Sequence, residues 1–125
     1  MYLLDTHTLL WTLFDENSLS ENVKKIILDN NDIFVSIASL WKIAIKQSIG
    51  KLQINESIET IARVCNEEDF YMLSIMPAHL DYLKQLPHIH GDPFDRLIIS
   101  QAATEKLVIV TKDSKIPLYG IKTIW

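Results

Sequence analysis

Asp92-Pro-Phe-Asp-Arg-Leu-Ile-Ile-Ser-Gln-Ala-Ala-Thr-Glu-Lys-Leu-Val-Ile-Val-Thr-Lys-Asp113 carries the pattern that decides the fold of this 125-residue chain. Asp92 is a good N-cap, and Pro93 suits the first helical position because proline has no N–H to leave unpaired there. A long helix follows. Residues 107–110, Leu-Val-Ile-Val, are then apolar without alternation. A short strand of that kind is buried on both faces, as in a parallel sheet covered by helices.

The same alternation runs through the rest of the chain. Residues 2–4 form a short apolar strand ending at Asp5. Ser18-Leu-Ser-Glu21 fits a capping box, after which Val23, Ile26 and Ile27 repeat at helical spacing. A second strand, Ile33-Phe-Val35, stops at Ser36, and Ile37, Leu40, Trp41, Ala44 and Ile45 give the next helix an apolar face that Gly50 closes. Asn55 is expected to cap a further helix, residues 70–75 to form the third strand, Pro77 to open a helix ending near Pro87, and residues 121–125 to form an edge strand. No internal repeat or linker interrupts this order. The expectation is one domain over residues 1–125: a three-layer α/β/α fold with a central, mainly parallel sheet of four or five strands.

Composition agrees. The chain is 48% hydrophobic with no low-complexity tract, which excludes disorder, and no apolar run approaches the roughly 20 residues of a membrane span. The N-terminal stretch lacks a basic region and is interrupted by Asp5, unlike a signal peptide. A single cysteine, Cys65, has no internal partner, so a reducing, cytoplasmic setting is expected. The formal net charge of −4 argues mildly against a nucleic-acid partner. A nuclease that meets phosphate through bound cations escapes part of that objection.

Ligands of open parallel sheets bind outside the carboxyl ends of the strands. Asp5 follows the first strand, Asp113 the fourth, and Asp95 lies in the first turn of the helix leading into that fourth strand. Carboxylates gathered there repel one another and call for a hard cation such as Mg2+ or Mn2+. Each acid also has a plain structural explanation. Capping suffices for Asp92, helix-dipole and turn roles balance the functional reading for Asp95 and Asp113, and only Asp5 resists. Spacing alone leaves the function open.

Four blocks narrow it: residues 2–11, Tyr-Leu-Leu-Asp-Thr-His-Thr-Leu-Leu-Trp; Val35-Ser-Ile-Ala-Ser-Leu-Trp41 with Ile43-Ala-Ile-Lys46; His90-Gly-Asp-Pro-Phe-Asp-Arg96 with Ile99-Ser-Gln-Ala102; and Val110-Thr-Lys-Asp113. Together, in this order, they resemble the PIN-domain toxins of VapC-like toxin–antitoxin modules over nearly the whole chain. The resemblance implies a Mg2+-dependent (or Mn2+-dependent) endoribonuclease, an RNA substrate, a small cognate antitoxin, and a homodimer. It places Asp5, Asp95 and Asp113 in the catalytic, metal-binding site, with Thr6, Ser36 and Thr111 as supporting hydroxyls and Asp92 as a neighbour. By the same analogy, a metal-activated water attacks the scissile phosphate without a covalent enzyme intermediate.

One position departs from the resemblance. The residue after Leu-Trp is normally glutamate in such toxins, and here it is Lys42. An ammonium supplies no metal ligand and changes the local charge by two units. A unit-charge pair at 4 Å is worth about 4 kcal/mol at an effective dielectric near 20, so metal affinity is expected to fall, with Lys42 partly neutralising the acids. A lysine snorkelling off the helix face would instead touch nothing. Either the natural protein is a weakened nuclease, or a single-base Glu-to-Lys change was selected against toxicity. A catalytically silent PIN domain that binds antitoxin or RNA is the rival reading.

The remaining chemistry-bearing residues are assigned plain roles. His79, His88 and His90 lack the partners of a zinc set and are expected at the surface; His7 is expected to pack or hydrogen-bond locally. Trp11, Trp41 and Trp125 suit core or dimer contacts, and Cys65 sits on an apolar helical face without a basic neighbour. Phosphatase and phospho-receiver readings fit poorly. The first wants an aspartate where His7 stands, and the second wants paired acids near the first strand.

Overall fold

The structure, a computed structural model, describes residues 1–29 and 31–125. β1 (Tyr2–Leu4) leads through Asp5 into α1 (Thr6–Phe14), a 3-10 turn and α2 (Glu21–Leu28). β2 (Ile33–Ser36) runs directly into α3 (Ile37–Ser48), followed by α4 (Ile58–Glu67), β3 (Tyr71–Leu73) and α5 (Pro77–Gln85). α6 (Pro93–Glu105), β4 (Val108–Val110), a second 3-10 turn and β5 (Thr123–Ile124) complete the order. The five strands are all parallel, in the order β3-β2-β1-β4-β5, so four or five mainly parallel strands was the right expectation.

Two cores show why the sheet needs cover on both sides. Leu4 and Val110 pack with Leu9, Leu10, Val23, Leu40, Ile43 and Ile61, from α1 to α4. Leu3 and Ile109, one residue earlier on the same strands, pack with Leu97, Ile98 and Ile99 of α6 and with Ile116. Neighbouring strand residues point to opposite faces, so Leu3 and Leu4 are both fully buried only because helices cover both sides. The result is the expected α/β/α sandwich. Its strand order reverses at the boundary between β1 and β4, the place where such sheets hold ligands.

Local boundaries differ from expectation at several points. Ser20, not Ser18, caps α2, accepting from the Val23 N–H at 3.1 Å; Leu19 is extended (φ −79°, ψ 143°), which stops the helix from starting earlier. Ser57, not Asn55, caps α4. Gln47 Nε2 donates to the carbonyls of Ile54 (2.9 Å) and Glu56 (2.8 Å), a side-chain tie that occupies the two residues flanking Asn55. β3 and β5 are shorter than their apolar stretches.

Candidate active site

Asp5 is placed by the β1–α1 junction. As N-cap of α1 its Oδ1 accepts from the Thr8 N–H at 2.8 Å, and its Oδ2 accepts from the Thr111 hydroxyl at 2.5 Å. Thr111 follows β4 and also accepts from the Asp113 N–H at 3.0 Å, so one hydroxyl ties Asp5 to the backbone of Asp113. Asp113 Oδ1 in turn accepts from the Lys115 N–H at 2.7 Å, a turn that fixes its rotamer. Asp92 caps α6, its Oδ1 accepting from the N–H groups of Phe94 (2.8 Å) and Asp95 (3.0 Å). Asp95, one turn in, projects from the helix N-terminus into the same space, largely buried.

Two nitrogen side chains lie between these acids. Lys42, on α3, is 6% exposed, and its Nζ lies 2.9 Å from Asp92 Oδ2 and 3.5 Å from Asp95 Oδ2. It does not snorkel to solvent. Trp41 beside it meets Phe94 edge-on, ring centroids 4.8 Å apart, which pins α3 to the start of α6. His90 Nε2 lies 2.7 Å from Asp113 Oδ2 and 3.3 Å from Asp95 Oδ2. A continuous chain of contacts thus runs Asp92–Lys42–Asp95–His90–Asp113.

Burial and charge act against each other here. Burial alone would lower the pKa of the Lys42 ammonium, but the hydrogen bond to Asp92 and the charges of Asp95 and Asp92 outweigh it and hold the pKa above the ordinary lysine value. Asp92 is shifted the other way: burial opposes ionisation, yet the Asp95 amide and the Lys42 ammonium bring its carboxyl below the usual range. Burial raises Asp95, and with the neighbouring charges of Asp92 and Asp5 it keeps the carboxyl above its usual range despite the relief from Lys42 and His90. Asp113 is lowered, because the bonds from His90 and the Lys115 amide exceed its desolvation. A carboxylate held against its own charge, beside two others, is an arrangement that favours a cation.

Asp5, Asp92, Asp95, Asp113, Lys42 and Thr111 therefore meet at the carboxyl end of the sheet. The hydroxyls of Thr6 and Ser36 bond elsewhere: Thr6 donates to the Ser39 hydroxyl (3.1 Å), and Ser36 caps α3 while donating to Gln101 Oε1 (2.5 Å). Of the three expected supporting hydroxyls, only Thr111 bonds an acid.

The histidines need correction. His88 is exposed, but His79 is buried, with Nδ1 accepting from the Met76 N–H at 2.9 Å, and His90 belongs to the site. Its position two residues before the α6 cap was the available signal. His7 is exposed and lies tilted against Trp11, ring centroids 5.8 Å apart, and Trp11 also meets Trp125 edge-on. Burial pushes the Cys65 thiol up to about 11, which leaves it inert.

The parallel sheet, its switch point and the acids around it define an α/β/α domain with an acidic site. The sequence matches the family model of the PIN domain over residues 2–122, and the chain belongs to that family. No curated protein sequence matches it significantly. Among solved structures it is similar to VapBC2 from Rickettsia felis bound to a promoter DNA fragment (TM-score 0.73, 18% identity, covering 98% of this chain and 96% of that one). It is also similar to DNA-bound VapBC from Salmonella typhimurium (0.68, 18%, 98% and 96%) and to a toxin–antitoxin complex from Klebsiella pneumoniae (0.65, 15%, 100% and 97%). At these identities the likeness is one of fold.

Proposed function

We propose that this chain is the toxin of a toxin–antitoxin module, a PIN-domain endoribonuclease whose acidic site is blunted by Lys42. The observation that carries the reading is the ammonium of Lys42 lying between Asp92 and Asp95, where a bound cation would neutralise the same charge. The donor set fits a hard divalent ion: carboxylates from two strand ends and one helix start, all oxygen. Asp5, Asp95 and Asp113 would hold Mg2+ or Mn2+, which supplies an activated water and stabilises charge on the phosphate.

The chain's own residues do the rest. Thr111 orients Asp5 and Asp113 together, and Asp92 spends one oxygen capping α6 while the other faces Lys42. Lys42 offers a positive charge that offsets acid repulsion but contributes no ligand. An RNA phosphate brought to the site meets a lower negative potential than four unpaired carboxylates would present. The cytoplasm as the compartment, a small antitoxin as partner and a homodimer are parts of the same proposal. Ile37, Trp41 and Ile45, at four-residue intervals along α3, with Ile49 just past its end, leave an exposed apolar stripe that supports self-association.

The test is cleavage of a structured RNA in Mg2+ and in EDTA, by the chain as written and by Lys42→Glu. Mg2+-dependent cleavage by Lys42→Glu, abolished by adding Asp95→Asn, is expected, with far weaker cleavage by the Lys42 protein. No cleavage by either form, with specific RNA binding retained, would favour the second reading, a silent binding module, for which the Lys42 ion pairs also speak.

A further inference from the structure

His90 is held with unusual care for a residue on a connecting segment. Its backbone N–H donates to the Tyr119 phenol oxygen at 2.8 Å, as does that of Ile89 at 3.1 Å. Arg96 Nη1 donates to the same oxygen at 3.1 Å and to the Pro87 carbonyl at 2.7 Å, and Nη2 reaches the Leu86 carbonyl at 3.3 Å. Arg96 and Tyr119 thus clamp the segment that carries the ring. The imidazole itself is 11% exposed.

The tautomer follows from the partners. Nδ1 faces the Asp92 backbone N–H at 3.1 Å. An amide N–H only donates, so Nδ1 accepts, and the proton of the neutral ring resides on Nε2. Nε2 is the nitrogen that faces Asp113 and Asp95. His90, Asp95 and Asp113 offer ligand atoms within 4.8 Å of one another, a spacing that resembles a metal set. A histidine that ligates metal through Nε2 needs its proton on Nδ1, donated to an acceptor. Here Nδ1 meets a donor, which works against ligation.

We propose that His90 is a positioning residue: its Nε2–H, oriented by the Asp92 amide and the Arg96–Tyr119 clamp, bonds the Asp113 carboxylate and stands against that of Asp95, setting both for a cation without ligating it. Each carboxylate has about four lone-pair sites, so one bond from His90 leaves oxygens free for an ion. The proposal rests on the metal-site reading only for the ion; the ring's tautomer, its bond to Asp113 and its contact with Asp95 stand apart from it.

The experiment uses the full chain labelled with 15N and 13C, with the His90 ring signals assigned by their loss in His90→Gln. The chain as written is expected to show Nε2 protonated and Nδ1 bare. The Asp95 and Asp113 carboxyl signals should shift in His90→Ala and return toward their original values in His90→Gln, whose amide donates from nearly the same place. In the Lys42→Glu background, His90→Ala should lower Mg2+ affinity by about 10- to 100-fold, and His90→Gln should recover most of the loss. A proton on Nδ1, unchanged carboxyl signals in His90→Ala, or equal losses in both variants would overturn the proposal. Should Lys42→Glu bind no Mg2+ at all, the metal-site reading falls, and the ring and carboxyl signals alone decide the role of His90.

Discussion

Replacing Lys42 by methionine keeps most of the apolar stem and removes only the ammonium. The Nζ contacts at 2.9 and 3.5 Å are Coulomb attractions of roughly 5 kcal/mol each at an effective dielectric near 20, largely offset by desolvation of the three groups. Breaking a buried pair from one side costs about 3–5 kcal/mol. The Asp92 side chain is 28% exposed and regains water, so the lower end, about 3 kcal/mol, applies. A 125-residue chain unfolds with an entropy of about 0.26 kcal/mol/K, so the expected fall in Tm is about 11 °C. Lys42→Glu, which adds a like charge, should fall further without metal. At 10 mM Mg2+ and a Kd of about 0.1 mM, binding adds about 2.7 kcal/mol and returns about 10 °C to that variant, and at a Kd at least tenfold weaker it returns at most about 5 °C to the Lys42 protein. Thermal unfolding by circular dichroism, with NaCl matched for ionic strength, measures all of this. A Lys42→Met Tm within about 2 °C of the parent, set against the 11 °C worked from linkage between stability and Tm, would refute the buried ion-pair account.

Three further outcomes are expected. Lys106 ends α6 in the left-handed region (φ +57°), where a Cβ is strained, so Lys106→Gly should stabilise by about 1 kcal/mol in a urea titration. Ile45→Asp, in the exposed stripe of α3, should convert a dimer to monomer in sedimentation at micromolar concentration without unfolding it. Asp92 and Asp113 are held below the usual carboxylate range, so the stability they contribute is present above about pH 3.9 and lost as pH falls through their folded values; Asp92→Asn, which still caps α6, should flatten that acid limb in unfolding measured from pH 5 to 2.

Much of this was legible along the chain because its signals are local. The apolar runs before Asp5 and before Thr111, and the Asp92-Pro93 start of α6, name strand, helix and acid within a few residues of one another. That the strands run parallel follows from the alternation of elements, but their order, with its switch between β1 and β4, and their register do not. His90 escaped because what holds it comes from afar: Tyr119 lies 29 residues on, and the Nδ1 partner is a backbone amide with no side-chain signature. Thr6 and Ser36 escaped in the opposite sense. Their types suit a polar site, yet Ser39 and Gln101, inward-facing on α3 and α6, take their hydroxyls. Caps were misplaced where two suitable residues stand close together, as Asn55 and Ser57 do, and only the path of the preceding loop chooses between them.

Whether Lys42 blunts the site is decided by magnesium titration calorimetry on the Lys42 protein and on Lys42→Glu, with each sample then assayed on one RNA substrate. Mg2+ binding and Mg2+-dependent cleavage are expected in Lys42→Glu, with both reduced by at least tenfold in the Lys42 protein, a difference of about 1.4 kcal/mol or more in binding free energy. Equal affinity and equal cleavage in the two would place residue 42 outside the working site and contradict the account of a nuclease blunted by its own lysine.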